Sequence, residues 1–186
     1  MKILFAGDYV QSIDIQNPLW SPELEGFVSD CDYRCCNYEG PCKTSDTKTL
    51  TKIGPSISQE ISSVERLANA GFNIVSLANN HIMDYGTGAL RNTLKIMRDN
   101  QVLFAGAGLS SAEAYKPLIL HKDTLTVGIL CFAENGFGAL TQRDGAGYAW
   151  FGDERSKTLI DECVGRCDKT IIVCHGGAEK WDYPLP

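Results

Sequence analysis

The chain has 186 residues, 44% of them hydrophobic, with a formal net charge of −6 and eight cysteines. That length and apolar content support one substantial core and predict a single domain over residues 1–186. The acidic balance, unbroken by any basic stripe, excludes a nucleic-acid backbone as the main partner. No apolar run is long enough for a membrane span or a signal-peptide core, so the sequence by itself reads as cytoplasmic.

In chain order, Lys2 to Ala6 predicts a short buried strand that ends at Gly7-Asp8. Residues 9 to 30, with Pro18, Trp20 and Pro22, read as loop plus a short helix. A second strand is expected at Tyr33 to Cys36, followed by Asn37-Tyr38-Glu39-Gly40-Pro41. The Thr- and Lys-rich stretch 42 to 54 reads as an exposed excursion. Ile57, Ile61, Val64, Leu67 and Ala68 have helical spacing, and Gly71 supplies a stop. Phe72 to Ala78 is the clearest strand, running directly into Asn79-Asn80-His81. A helix carrying Leu90, Leu94 and Met97 follows, then strands at Val102 to Ala105, 117 to 121 and 125 to 132. Glu134 to Gly152 reads as a long Gly-rich loop. A helix near 154 to 165 precedes a final strand, Thr170 to Cys174, that ends at His175. This alternation predicts an α/β fold with a largely parallel sheet.

The cysteines form no C-x-x-C pair, which argues against a zinc ribbon. Cys131 and Cys174 lie in apolar runs and read as small core residues, and the set as a whole reads as reduced thiols. Gly106-Ala107-Gly108 lacks the third glycine of a dinucleotide-binding loop.

The polar residues are placed more tellingly. Asp8, Asn37 with Glu39, Asn80 with His81, and His175 each follow a predicted strand, at the sheet edge where α/β proteins bind ligands. Carboxylate, amide oxygen and imidazole together form a mixed donor set suited to Mn, Fe, Zn or Mg. His121, the remaining histidine, has no such neighbours. His175-Gly-Gly-Ala-Glu179 adds glycines that permit close backbone approach.

At these blocks the chain resembles the poly-gamma-glutamate capsule-synthesis (CapA-like) branch of the calcineurin-like metallophosphoesterases. The resemblance rests on Gly7-Asp8, on Asn37 to Pro41, and on A-G-F-N-I-V-S-L-A-N-N-H-I-M-D-Y-G at Ala70 to Gly86. Gly106 to Gly108 with Glu113-Ala114, and His175 to Glu179, complete it. It implies an α/β/β/α sandwich and a divalent-metal centre held by Asp8, Glu39, Asn80 and His175. It further implies His81 as a general acid or phosphate contact oriented by Asp84, with Asn37, Asn79 and Glu179 as supporting or substrate groups. Two positions depart from the superfamily pattern. Val10 stands where a histidine is usual, and Glu39 where an aspartate is usual. A G-H-x-H motif would lie beyond Pro186, so the expectation is a fold incomplete at the C-terminus and weak or absent turnover from these 186 residues. The implied activity is hydrolysis of a phosphoester by a metal-activated water. The substrate would be a phosphorylated or anionic polymer, and exopolymer-synthesis subunits would be partners. The alternative is an accessory protein that keeps the fold and binds an acidic polymer or a partner subunit. Family members are often anchored at the cell surface.

Overall fold

A computed structural model describes residues 1–15, 17–45, 48–140 and 145–177. Four parallel strands form the first sheet in chain order: β1 (Ile3–Tyr9), β2 (Tyr33–Tyr38), β3 (Ile74–Ser76) and β4 (Leu103–Ala105). Helix α1 (Pro22–Ser29), α2 (Ser62–Asn69) and α3 (Gly86–Asp99) fall in the connections between them. After β5 (Ala107–Gly108) and the short α4 (Ser111–Ala114), an antiparallel hairpin joins β6 (Leu118–Lys122) to β7 (Leu125–Ala133). β8 (Ala139–Leu140), β9 (Gly147–Ala149), α5 (Glu154–Arg166) and β10 (Lys169–His175) complete the chain. β10 lies parallel to β7, giving a second sheet of order β10-β7-β6, while β5, β9 and β8 form a small third sheet.

Side-chain alternation along β7 explains the layering. Ile129, Cys131 and Ala133 join the core shared with the first sheet and with Val64, Leu67, Leu90, Leu94 and Met97 of α2 and α3. Leu130 and Phe132, pointing the other way, pack with Leu159, Ile160 and Cys163 of α5. A strand buried on both faces therefore lies between two cores, and the order of layers is helix, sheet, sheet, helix.

Local chemistry sets the helix ends. Pro22 opens α1 at a position where its missing N–H is not needed. The Asp153 carboxylate caps α5 by accepting from Arg155 N at 2.9 Å. The sheets approach closely at Gly106, whose φ is +96° and where a Cβ would sit 2.7 Å from Ala78 Cβ and 2.8 Å from Cys131 Cβ. This glycine thus serves packing, which accounts for its presence without any dinucleotide loop.

Several expectations need correction. Among the described residues only β2 pairs with β1, which is therefore an edge strand and half-exposed, with Phe5 at 41%. Cys131 is buried as expected, but Cys174 is exposed. β10 is also an edge strand, and Ile171 and Val173 turn to the core while Ile172 and Cys174 face outward. The helix expected from Ile57 begins only at Ser62. Residues 57 to 60 instead bond to the site region, with Ile57 N donating to Asp84 Oδ2 at 2.8 Å. The stretch 134 to 152 contains β8 and β9, two- and three-residue strands held by distant partners and too short to leave a periodic signal. Among the described residues no helix is long and apolar enough to cross a membrane.

Candidate functional site

The site lies where the C-terminal ends of both sheets meet. Parallel register sets Asp8 on β1 directly beside Asn37 on β2, and Asn37 Nδ2 donates to Asp8 Oδ1 at 2.7 Å. From the second sheet, His175 ends β10; its Nδ1 is 3.0 Å from Asn37 Nδ2 and 3.4 Å from Asp8 Oδ1. Its Nε2 is 3.1 Å from Asn80 Oδ1, in the turn that follows β3. One imidazole thus spans three segments of the first sheet.

Asn79, fully buried, fixes the orientation of this group. Two backbone donors, Gly40 N and His81 N, reach its Oδ1 at 3.2 Å each. Its Nδ2 is therefore the donor to Tyr38 O at 2.9 Å and to Asn37 Oδ1 at 3.2 Å. Asn37 must then turn its own Nδ2 toward Asp8 and His175. His175 accordingly accepts at Nδ1 and donates from Nε2 to Asn80 Oδ1. Backbone amides, which cannot flip, determine the tautomer of a histidine two residues removed from them in the network.

His81 occupies the other half of the site. Its Nδ1 is 2.7 Å from Asp84 Oδ2, and its Nε2 is 3.6 Å from Glu39 Oε1. Asp84 is fully buried and forms an ion pair with Lys52, whose side chain is only 6% exposed and whose Nζ is 3.1 Å from His81 Nδ1. The expectation of an exposed excursion at 42 to 54 misses Lys52. Nothing in its spacing marks it; Leu50 N, donating to Asp84 O at 2.8 Å, ties the segment across the turn. Gln59 likewise carries no mark in the sequence, and its Nε2 donates to Tyr9 O and Glu39 O, both at 2.7 Å. His121 is exposed on β6, with Nδ1 3.3 Å from Thr126 Oγ1, apart from this group. Glu179 lies outside the described residues.

Burial, then the neighbouring Asp8 carboxylate, raises the Glu39 carboxyl above the ordinary range, while His175 and His81 pull it back. Two carboxylates crowded in this way favour a shared proton or a cation. The donor chemistry therefore fits a divalent ion bound through Asp8, Glu39 and Asn80, with His175 joining them only where Asn37 gives up its hydrogen bond to Nδ1. Among the described residues, however, no three His, Cys, Asp or Glu side chains gather tightly enough to enclose an ion. Amide oxygen and water would have to complete the coordination.

The layered helix–sheet–sheet–helix arrangement is a metallophosphoesterase-like fold. A Staphylococcus aureus crystal structure assigned as a 5'-nucleotidase superposes with a TM-score of 0.53 at 16% identity, covering 99% of this chain and 39% of that one. The profile described as bacterial capsule synthesis protein PGA_cap matches residues 2–186, and the chain belongs to that family. The capsule biosynthesis protein CapA of Bacillus anthracis is 25% identical over 86% of this chain and 41% of its own length. The PGA biosynthesis protein CapA of Bacillus subtilis is 25% identical over 97% of this chain and 49% of its own. The chain thus spans less than half of either relative.

Proposed function

We propose that the chain is a metal-dependent phosphoesterase-type unit acting on a phosphoester of an anionic capsule-type polymer. The convergence of Asp8, Glu39, Asn80, His81 and His175 supports this reading most directly. A divalent cation bound there would supply a nucleophilic water at neutral pH and would neutralise phosphoryl oxygens. The chain's own residues do the rest. Asp84 accepts from the Nδ1–H of His81 and would steady its imidazolium form, whose Nε2–H can donate to a phosphoryl oxygen or pass its proton to the leaving oxygen. Asn79 and Asn37 keep His175 in one tautomer. Lys52 balances the buried Asp84 charge, so that Asp84 stays a fixed acceptor.

The second reading, a binding protein for an acidic polymer or a synthesis subunit, is favoured by one observation. Asn37 Nδ2, a donor, sits between Asp8 and His175 where a cation would otherwise be drawn. Elemental analysis after exposure to Mn2+ separates the two readings. The first expects a single weakly held cation, lost in Asp8→Asn. It also expects slow turnover of an aryl phosphate that falls to background in His81→Ala. Failure of the wild type to take up any cation sinks the enzymatic reading, and turnover that survives His81→Ala sinks the role given to that imidazole.

A further inference from the structure

Away from the site, helix α5 and the β6–β7 hairpin enclose a cavity of about 380 Å3, lined among others by Ile119, His121, Thr126, Cys163, Arg166 and Cys167. Two of these side chains are free thiols, and their sulfurs lie 3.9 Å apart. Gly128 of β7 makes room for both. A Cβ there would sit 2.2 Å from Cys163 Sγ and 3.1 Å from Cys167 Sγ. Cys163 is only 4% exposed, whereas Cys167, the C-cap of α5, is half-buried. A reagent in the cavity therefore meets Cys167 first, with a second thiol covered directly behind it.

The backbone holds this pair at bridging distance. Cys167 N donates to Cys163 O at 3.0 Å, so the two residues keep helical spacing. Four steps of about 1.5 Å separate their Cα atoms by roughly 6 Å, inside the span of about 4.4–6.8 Å that a disulfide tolerates. Beyond Cys167 the chain is clasped to β7. Asp168 N donates to Thr126 O at 2.9 Å, and Thr126 N donates to Asp168 Oδ2 at 2.8 Å. With both backbones fixed, side-chain rotation is what remains to bring the sulfurs into bonding distance. Other buried thiols differ: desolvation pushes the pKa of Cys35, Cys36 and Cys131 up to about 12, which keeps them protonated and inert.

We propose that Cys167 and Cys163 are a reversible dithiol–disulfide couple that exchanges with small disulfides, R–S–S–R, entering this cavity. The Cys167 thiolate attacks one sulfur of R–S–S–R, forming a Cys167–S–S–R bond and releasing RS−. Cys163 then attacks the Cys167 sulfur, its proton going to the second RS− as that group leaves. Two cysteine thiols are thereby oxidised to one disulfide, and R–S–S–R is reduced to two thiols. The new bond closes the last turn of α5, where the chain passes into β10. The couple stands apart from the phosphoesterase reading and does not depend on it.

Peptide masses test the proposal. The folded full chain is incubated with 2-hydroxyethyl disulfide at mildly alkaline pH, because desolvation and then the neighbouring Cys163 raise the Cys167 thiol. Free thiols are then alkylated with N-ethylmaleimide in urea, and the chain is digested with trypsin. Cleavage after Arg166 separates the two cysteines, so a bridge joins peptides 158–166 and 167–169. The wild type should yield that joined pair, split again by dithiothreitol. Cys163→Ala should instead keep a mercaptoethanol adduct on Cys167, since no second thiol displaces it. Cys167→Ala should leave Cys163 unmodified. Far-UV circular dichroism checks the folding of both variants; should Cys163→Ala fold poorly, the wild-type linkage and Cys167→Ala still decide. Recovery of both wild-type peptides as maleimide adducts overturns the proposal. So does a bridge from Cys167 to any other cysteine, or an adduct on Cys163 in folded Cys167→Ala.

Discussion

Replacing Lys52 with Met tests the site's most unexpected residue. Lys52 and Asp84 form an ion pair with side chains 6% and 0% exposed, so solvent can do little for whichever charge remains. Removing one partner of a buried pair leaves an uncompensated charge and costs about 3–5 kcal/mol. Asp84 would keep His81 Nδ1 and Ile57 N as donors, which places the expected loss toward the lower end of that range. For a chain of this size about 1 kcal/mol corresponds to roughly 2–4 °C in Tm, so a fall of about 6–12 °C is expected for a loss of about 3 kcal/mol. Urea denaturation followed by far-UV circular dichroism reads the free energy directly. The double variant Lys52→Met/Asp84→Asn removes both charges and should lose less than the two single variants combined. A loss below about 1 kcal/mol in Lys52→Met, or strict additivity in the double variant, would show that the pair behaves like a solvated surface bridge and that the reasoning is wrong.

Glu39 carries a pH signature. Its carboxyl is raised in the folded chain, so its contribution to stability is fully present below the unfolded carboxyl pKa and is lost as pH rises through the higher folded value. Glu39→Gln should therefore stabilise the metal-free protein at neutral pH and have little effect in acid, as thermal melts across pH will show; a uniform effect at every pH would contradict this. Cys131→Ala should cost about 1–2 kcal/mol, because the side chain is buried at the junction of the sheets, whereas Cys174→Ala on the exposed edge should be near neutral in the same denaturation assay. Gly106→Ala should destabilise by at least about 1–3 kcal/mol, since φ is +96° and the new Cβ would meet Ala78 and Cys131 below 3 Å; an unchanged midpoint would mean that the sheets can separate freely there.

Much of the molecule is legible before any coordinates. The run through Ala70 to Gly86 shows a buried strand delivering Asn79, Asn80 and His81 to one edge. The alternation of strands and helices requires a parallel sheet, and parallel strands carry their following residues to the same side. Periodicity and turn chemistry are local, so they suffice for those elements. The same reasoning places Asp8, Asn37, Glu39 and His175 at strand ends, although it cannot say that one imidazole would join Asp8, Asn37 and Asn80.

What the tertiary structure alone decided depends on partners distant in sequence. β8 and β9 exist because their backbones pair with each other and with β5, since segments of two or three residues have no period of their own. The edge positions of β1 and β10 expose Phe5 and Cys174, whose apolar runs look no different from those of central strands. Lys52 looks like a surface lysine in a polar stretch until the fold folds that stretch over Asp84, 32 positions away (84 − 52). Its burial follows from the need of a buried carboxylate for a counter-charge, and that need arises only once the chain has closed around Asp84.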